Sequence, residues 1–308
     1  MAAAPAMLCA AIDIGSNTTR VLVAEPHEGQ LKKVMEQRAY TRFNEAVAEH
    51  GSIKPAKISE VAELVATQGR LAEELGAEVI RAVATAAVRD APNRDEIRDA
   101  IADTSGLEIE ILSEEEEGRL AFLGATKTLG HPVDGSIGVV DVGGGSTEVI
   151  LGTVKDGVQQ VRSWRIGSGA LADELLERDP PSAAEIRKVR ERLDDFFSDV
   201  DLDQPDQAVA VGGSATSLRR LVGAVLEYET LERGIRVLAG DPIADVARRF
   251  ELDPRRVRIL PTGVLLLEKI SELLGQPLQI GKGGLREGLI LDMLNGSVNG
   301  SSPEAMTA

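Results

Sequence analysis

The strongest constraint on how this chain can fold is a segment that occurs twice. Residues 137–151 read IGVVDVGGGSTEVIL: an apolar run up to Asp141, three glycines, two hydroxyls, and a β-rich run from Glu148. That is the pattern of strand, tight glycine turn, strand. Residues 10–24 repeat it, with Asp13 followed by Gly15, Ser16, Asn17 and Thr18, then an apolar run over 21–24. Glycine lets the main chain approach an anion without a Cβ in the way, and consecutive N–H groups in a turn form an anion-binding concavity. One such turn is compatible with an ordinary glycine-rich hairpin. Two of them, each with an aspartate at the strand end, predict related halves facing one phosphate chain. Asp13 and Asp141 are placed either to hold a hard cation or to cap their own turns.

The elements around the repeats predict an α/β chain. Residues 8–14, 19–25 and 31–41 alternate as three antiparallel strands, joined by the Asp13 turn and by Pro26-His27-Glu28-Gly29. Apolar residues at helical spacing, with Pro55 near the start and Gly76 past the end, predict a helix over 55–75. A strand over 78–85 leads to Arg89, and Asn93 with Glu96 predicts a capping box for the next helix. A strand over 107–112 runs into Ser113 and four glutamates. Ser113 and Glu116 predict a second box, which leaves Glu117 free, with Ala121 and Gly124 as small residues making room beside it. On spacing alone, a solvated charge run is the better account of these acids.

A third strand over 158–166 completes the second hairpin, and a short strand over 207–211 opens a helix through Gly212, Gly213 and Ser214. Asp253-Pro254 predicts a helix start, residues 262–274 are strongly apolar, 286–294 predict a last helix, and 295–308 read as a loose tail. The run from Gly167 to Ala172 matches a dinucleotide fingerprint, but no parallel strand with a terminal acid follows it, so it is read as a helix N-terminus near the site. None of the glycine turns ends as a Walker A loop does.

Composition narrows the chemistry. At 308 residues the chain is long enough for about two domains. Its net charge of −16 argues against general nucleic-acid binding, so a polyanionic substrate needs a locally basic cleft. Three histidines in predicted loops and the lone Cys9 leave no histidine-based triad and no cysteine-based zinc site. Hydrolysis would then rest on carboxylates with a metal such as magnesium. The opening MAAAPAMLCA lacks the basic start of an export leader, no apolar run suffices to span a bilayer, and a cytoplasmic address fits; a homodimer is left open.

The motifs AAIDIGSNTTRVLVAE, VATAAVR, ILSEEEEGRLAFLGA, GVVDVGGGSTEVILG, RIGSG, AVGGSATS and GGLREGLIL occur in the order seen in exopolyphosphatases and guanosine pentaphosphate phosphohydrolases, and the chain resembles that family over most of its length. The resemblance implies two actin-like, ribonuclease-H-type domains, residues 1–128 and 129–285, with an active-site cleft between them and the helix over 286–295 returning to the first. It implies that Glu117 is the general base and that Asp141 and Glu148 are metal- and water-positioning acids, with Asp13 the corresponding acid of the first domain. It assigns the phosphate loops to Gly15, Ser16, Asn17 and Thr18 and to Gly143, Gly144, Gly145, Ser146 and Thr147, with Gly213 and Ser214 in a third. Arg89, Arg20 and Arg286 would grip phosphate, and Mg2+ would be held through Asp141 and Asp13. The implied substrate is inorganic polyphosphate, whose terminal orthophosphate is released. The alternatives are guanosine pentaphosphate and an ATP-dependent small-molecule kinase or ATPase of the same fold. The chain departs from the family pattern at residues 42–47, RFNEAV. It is also expected to lack the helical C-terminal domain of longer relatives.

Overall fold

The computed structural model describes residues 7–43 and 51–299. Most of the 42–47 departure, the first six residues and the end of the tail from 300 lie outside the described residues. The chain divides into two compact units, with boundaries after Thr128 and after Gly284, and the helix that follows Gly284 belongs to the first.

In unit 1, β1 (Cys9–Ile14), β2 (Thr18–His27) and β3 (Gln30–Tyr40) form an antiparallel meander. Pro26 and His27 belong to β2, and the second turn tightens to Glu28 and Gly29, both at positive φ. That is the backbone twist a two-residue hairpin needs. Helix α1 (Pro55–Glu74) precedes β4 (Val79–Ala84), followed by the short α2 (Ala86–Arg89), α3 (Arg94–Ser105), β5 (Ile109–Ile111) and α4 (Glu114–Lys127). β4 and β5 add in parallel, giving the order β3-β2-β1-β4-β5.

β1 is apolar almost throughout because both of its faces are covered. Ala10, Ile12 and Ile14 pack with Ile58, Val61 and Val65 of α1 and with Ile97 and Ile101 of α3. Cys9 and Ala11 point the other way, to Leu120 of α4 and to Leu289 and Ile290 of the C-terminal helix (Leu285–Asn299). That helix runs past 295, so the first residues read as loose tail are helical.

Local differences from expectation have identifiable causes. Asn93 forms no side-chain cap; its amide pairs with the N–H and C=O of Ile53 instead. Ser113 accepts from the Glu116 N–H, but Glu116 turns to Arg119, so only half of that capping box forms. Gly124 makes room for a helix and not for a carboxylate. A Cβ on Gly288 would overlap the Leu120 carbonyl and lie 3.2 Å from the Gly124 nitrogen, so the two helices approach through glycine on both sides.

Unit 2 repeats the plan. β6 (Ser136–Val142), β7 (Thr147–Thr153) and β8 (Gly157–Trp164) form the meander, and β9 (Gln207–Val211) and β11 (Leu278–Ile280) add in parallel. The sheet order β10-β11-β9-β6-β7-β8 is that of unit 1 with one short edge strand added, β10 (Val225–Leu226), which has no counterpart in the sequence reading. The helices are α5 (Ser168–Leu175), α6 (Ala183–Phe196), α7 (Gly212–Val222), α8 (Tyr228–Gly240), α9 (Ile243–Phe250) and α10 (Pro254–Leu274). α6 carries a complete capping box between Ser182 and Glu185. α10 continues through Pro261 and supplies Leu260, Val264, Leu265 and Leu267 to the core. Among the described residues no helix is long and apolar enough to cross a membrane.

Gln68 is wholly buried in α1, and neither atom of its amide has a hydrogen-bond partner among the described residues. A buried amide left unpaired costs about 1–3 kcal/mol. Gln68→Met, of similar volume, is therefore expected to raise the urea midpoint at unchanged slope. Gly288→Ala is expected to lower it, since forcing atoms into a packed contact typically costs ~1–3 kcal/mol. A lowered midpoint for Gln68→Met would mean that the amide is satisfied after all.

Candidate functional site

The residues singled out by sequence gather at the carboxyl ends of the parallel strands, the edge where open α/β sheets take ligands. In unit 1 the Thr85 N–H donates to Ile14 O and the Leu112 N–H to Ala84 O. The segments after β1, β4 and β5 are thereby laced together, which brings the 15–18 turn, Arg89 and Glu117 to one edge. In unit 2 the corresponding edge carries the 143–146 turn after β6 and Gly212 to Ser214 after β9. The Gly281 N–H, just past β11, donates to Ala210 O.

The two turns close identically. Gly15 N–H donates to Thr18 O at 3.1 Å, and Gly143 N–H to Ser146 O at 2.9 Å. Among the described residues the N–H groups of Ser16, Asn17, Gly144, Gly145 and Ser146 make no such bond. In unit 2 the carbonyls are held from behind: Ser168 N–H reaches Gly143 O, while Gly169 and Ala170 both reach Gly144 O. Gly167 lies so close that a Cβ there would fall 2.5 Å from the Gly145 nitrogen. The N-terminus of α5, read from the sequence as lying near the site, is spent on fixing the turn. Its unspent donors are the turn's own N–H groups.

Some hydroxyls assigned to phosphate turn inward. Thr147 is fully buried and donates to Ile166 O at 2.7 Å. Ser214 donates to Val142 O at 3.2 Å and is 1 % exposed. Thr18 accepts from the Arg20 Nε. Ser16, Asn17 and Ser146 stay half-buried at the turns. At the start of α7, Gly212 has φ of +78°, and any side chain there would overlap the Asp141 carboxylate. Gly213 is backed by the guanidinium of Arg256, which is 5 % exposed. Sequence reading missed Arg256. The available signal was a cation in the first turn of a helix, where the macrodipole disfavours it.

The acids differ between the units. Asp141 on β6 stands directly opposite Glu148 on β7, which stands opposite Ser163 on β8, and the Ser163 hydroxyl donates to Glu148 Oε1 at 3.3 Å. Asp13 on β1 stands opposite Arg20. Burial pushes the Asp13 carboxyl up, against the pull of Arg20 and Arg286. Arg286 is ion-paired with Glu36 on β3 at 2.9 Å. The cation expected at Asp13 thus meets two arginines. The Asp141 and Glu148 pair has the donor chemistry of a magnesium site, which takes one or two protein carboxylates and completes its shell from phosphate and water. Among the described residues no three His, Cys, Asp or Glu side chains are grouped so as to hold an ion alone.

Arg89 and Glu117 meet each other. Arg89 Nη1 donates to Glu117 Oε2 at 2.8 Å and to Leu112 O at 2.9 Å, and both side chains are about 15 % exposed. Glu117 is therefore neither free nor one of a solvated run: its neighbour Glu115 is exposed, and Glu114 comes only within 3.6 Å of Arg89.

A sequence model of the Ppx/GppA phosphatase family matches residues 22–297. Exopolyphosphatase 1 of Mycobacterium leprae is 29% identical over 94% of this chain and 91% of its own length. A guanosine-5'-triphosphate,3'-diphosphate pyrophosphatase of Vibrio vulnificus is 26% identical over 94% of this chain, which spans 59% of that longer protein. The crystal structure of the Aquifex aeolicus Ppx/GppA family member superposes with a TM-score of 0.80 at 29% identity, covering 95% of this chain and 99% of that one.

The Glu36–Arg286 pair has a pH signature. Burial alone would raise the Glu36 carboxyl, but Arg286 and Lys33 more than offset this and bring it from 4.5 down to about 2. Its contribution to stability is thus fully present above the unfolded value and lost as pH falls through the folded one. Urea titrations stepped from pH 5 to about 2 should show a shallower acid loss in Glu36→Gln than in the parent. Parallel curves would count against the pairing.

Proposed function

We propose that this chain, which belongs to the Ppx/GppA phosphatase family, hydrolyses the terminal phosphoanhydride bond of inorganic polyphosphate and releases orthophosphate. The observation that carries the reading is the Asp141 and Glu148 pair beside a turn whose carbonyls are pinned and whose N–H donors are unspent. The N–H groups of the 143–146 turn, and those of Ser16 and Asn17, bind phosphate oxygens. Magnesium held by Asp141 and Glu148 would supply charge neutralisation at those oxygens.

Glu117 orients a water and takes its proton as the water oxygen bonds to the terminal phosphorus. The bridging P–O bond breaks, and the shortened chain leaves with that bridging oxygen. Arg89, which pairs with Glu117, is drawn to the incoming phosphate by its bidentate fit to anions. The carboxylate it leaves behind is then a better base. Gripping substrate and releasing the base are one movement of one side chain.

The likeness to a pyrophosphatase acting on guanosine-5'-triphosphate,3'-diphosphate supports a second reading. In it the same residues remove the 5′-phosphate of that nucleotide. Family membership turns the choice away from an ATP-dependent kinase.

Phosphate release from polyphosphate and from guanosine pentaphosphate, side by side with and without chelator, separates these readings. Glu117→Gln is expected to cut turnover by ~10²–10⁴-fold, the usual contribution of a general base, while substrate still binds. Glu115→Gln, an exposed neighbour, is the control and should match the parent. Equal losses in both variants would remove Glu117 from the mechanism, and full activity in excess chelator would remove the metal.

A further inference from the structure

The last two acids of the four-glutamate run are held by different arginines. Glu117 takes Arg89. Glu116 takes Arg119, whose Nε and Nη2 donate to its two carboxylate oxygens at 2.8 and 2.7 Å. The same Nη2 donates to Asp292 Oδ1 at 2.8 Å, and Asp292 Oδ2 accepts from Arg81 Nη1 at 2.8 Å. Arg81 in turn donates twice to Glu110. One carboxylate on the C-terminal helix thus joins two arms, one leading to the first turn of α4 and the other to strands β4 and β5. Burial pushes the Asp292 carboxyl up, but Arg119 and Arg81 more than offset this and hold it below the usual range, and Arg119 does the same for Glu116. Both acids are therefore ionised at neutral pH, and the clasp is closed.

The two arms differ in what depends on them. β4 and β5 are already fixed by the ladder between them and by the Leu112 N–H on Ala84 O. A helix's first turn has no ladder, and its leading N–H groups have no intrahelical partner. Here the capping box that would brace it is half made, because the Glu116 side chain has turned to Arg119. A contact to another element stands in for the missing half. The C-terminal helix is a firm base for it: Gly288 lies against the Leu120 carbonyl, and Asp292, four residues on, shares that helical face. Isolated exposed ion pairs contribute little, but a bidentate arginine within a network of several charges is the arrangement in which they count.

We propose that Asp292 is a positioning residue for the general base: by holding Arg119, and through it Glu116, it sets the first turn of α4 from which Glu117 acts. Glu117 is the next residue along, so a roll of that turn carries its carboxylate with it. The inference rests on the reading of Glu117 given above and extends it to the helix at the other end of the chain.

The test measures turnover and the Michaelis constant on whichever of polyphosphate and guanosine pentaphosphate the parent cleaves, with circular dichroism and urea midpoints to confirm that each variant is folded. Arg119→Met and Asp292→Asn should each lower turnover about tenfold, less than the ~10²-fold that a misplacement of about 1 Å can cost. The Michaelis constant should stay within about twofold of the parent, as it does when the loss falls on the transition state and not on binding. The two changes together should cost no more than Arg119→Met alone, because they break one network. Arg81→Met breaks the other arm of the same carboxylate and should leave turnover at the parent level, which separates positioning from a general loss of stability. In Glu117→Gln, where no base is left to position, Arg119→Met should cost nothing further. Equal losses of turnover in Arg119→Met and Arg81→Met, or an undiminished further loss from Arg119→Met in Glu117→Gln, overturn the proposal and leave Glu117 as the base. Unchanged turnover in Glu117→Gln itself overturns both.

Discussion

The carbonyls of Gly143 and Gly144 accept from the first turn of α5, and the rest of the unit 2 edge depends on that attachment. A helix N-terminus offers several N–H groups with no partner of their own. Spent on an anion, they would make a site directly. Spent on two carbonyls, they fix a glycine turn that would otherwise be the most mobile part of the edge. Gly167 permits the approach because it has no side chain to fend off the turn behind it. Gly212, one strand over, does the same for Asp141. The anion-receptive groups are thus held by backbone contacts, and the acids beside them are left to the chemistry of the hairpin.

In a chain with net charge −16, a site for a polyanion would need its cations placed locally. Four arginines at the edges have identified neighbours. Arg89 lies on Glu117, Arg286 on Glu36, Arg20 on the Thr18 hydroxyl, and Arg256 against Gly213. Guanidinium groups with several donors in a plane can hold one carboxylate and still present donors to phosphate. Lysine, a point charge on a flexible stem, would not be oriented in this way. The acidic balance of the whole says little about the field at the strand ends.

What could be read from the sequence was what is local in it. Strand, glycine turn and strand at 10–24 and 137–151 are set by neighbouring residues, and so are the Pro55 helix start and the Ser182 box. What needed the structure was register. The opposition of Asp141, Glu148 and Ser163 depends on how three strands align, and no spacing along the chain reports it. The same holds for Arg256, brought to Gly213 from a helix more than forty residues away. Glu117 shows the limit most plainly. Its four-glutamate context reads as solvated charge, because a partner in another element is invisible to a local pattern. Gly124 erred in the other direction: small residues signal a close approach without saying what approaches.

The C-terminal helix shares with α4 the covering of one face of β1. Cys9, Ala11 and Leu22 pack against Leu289 and Ile290, all of them essentially without exposure to water. β1 therefore waits for the helix Leu285–Asn299. A ribosome that has delivered the whole of unit 1's sheet has delivered an unfinished domain, while the 129–284 segment emerges with every part of its own core contiguous. Domains commonly settle in the order in which they are made. In this chain the second-made unit can settle first, before the helix Leu285–Asn299 completes the unit made earlier.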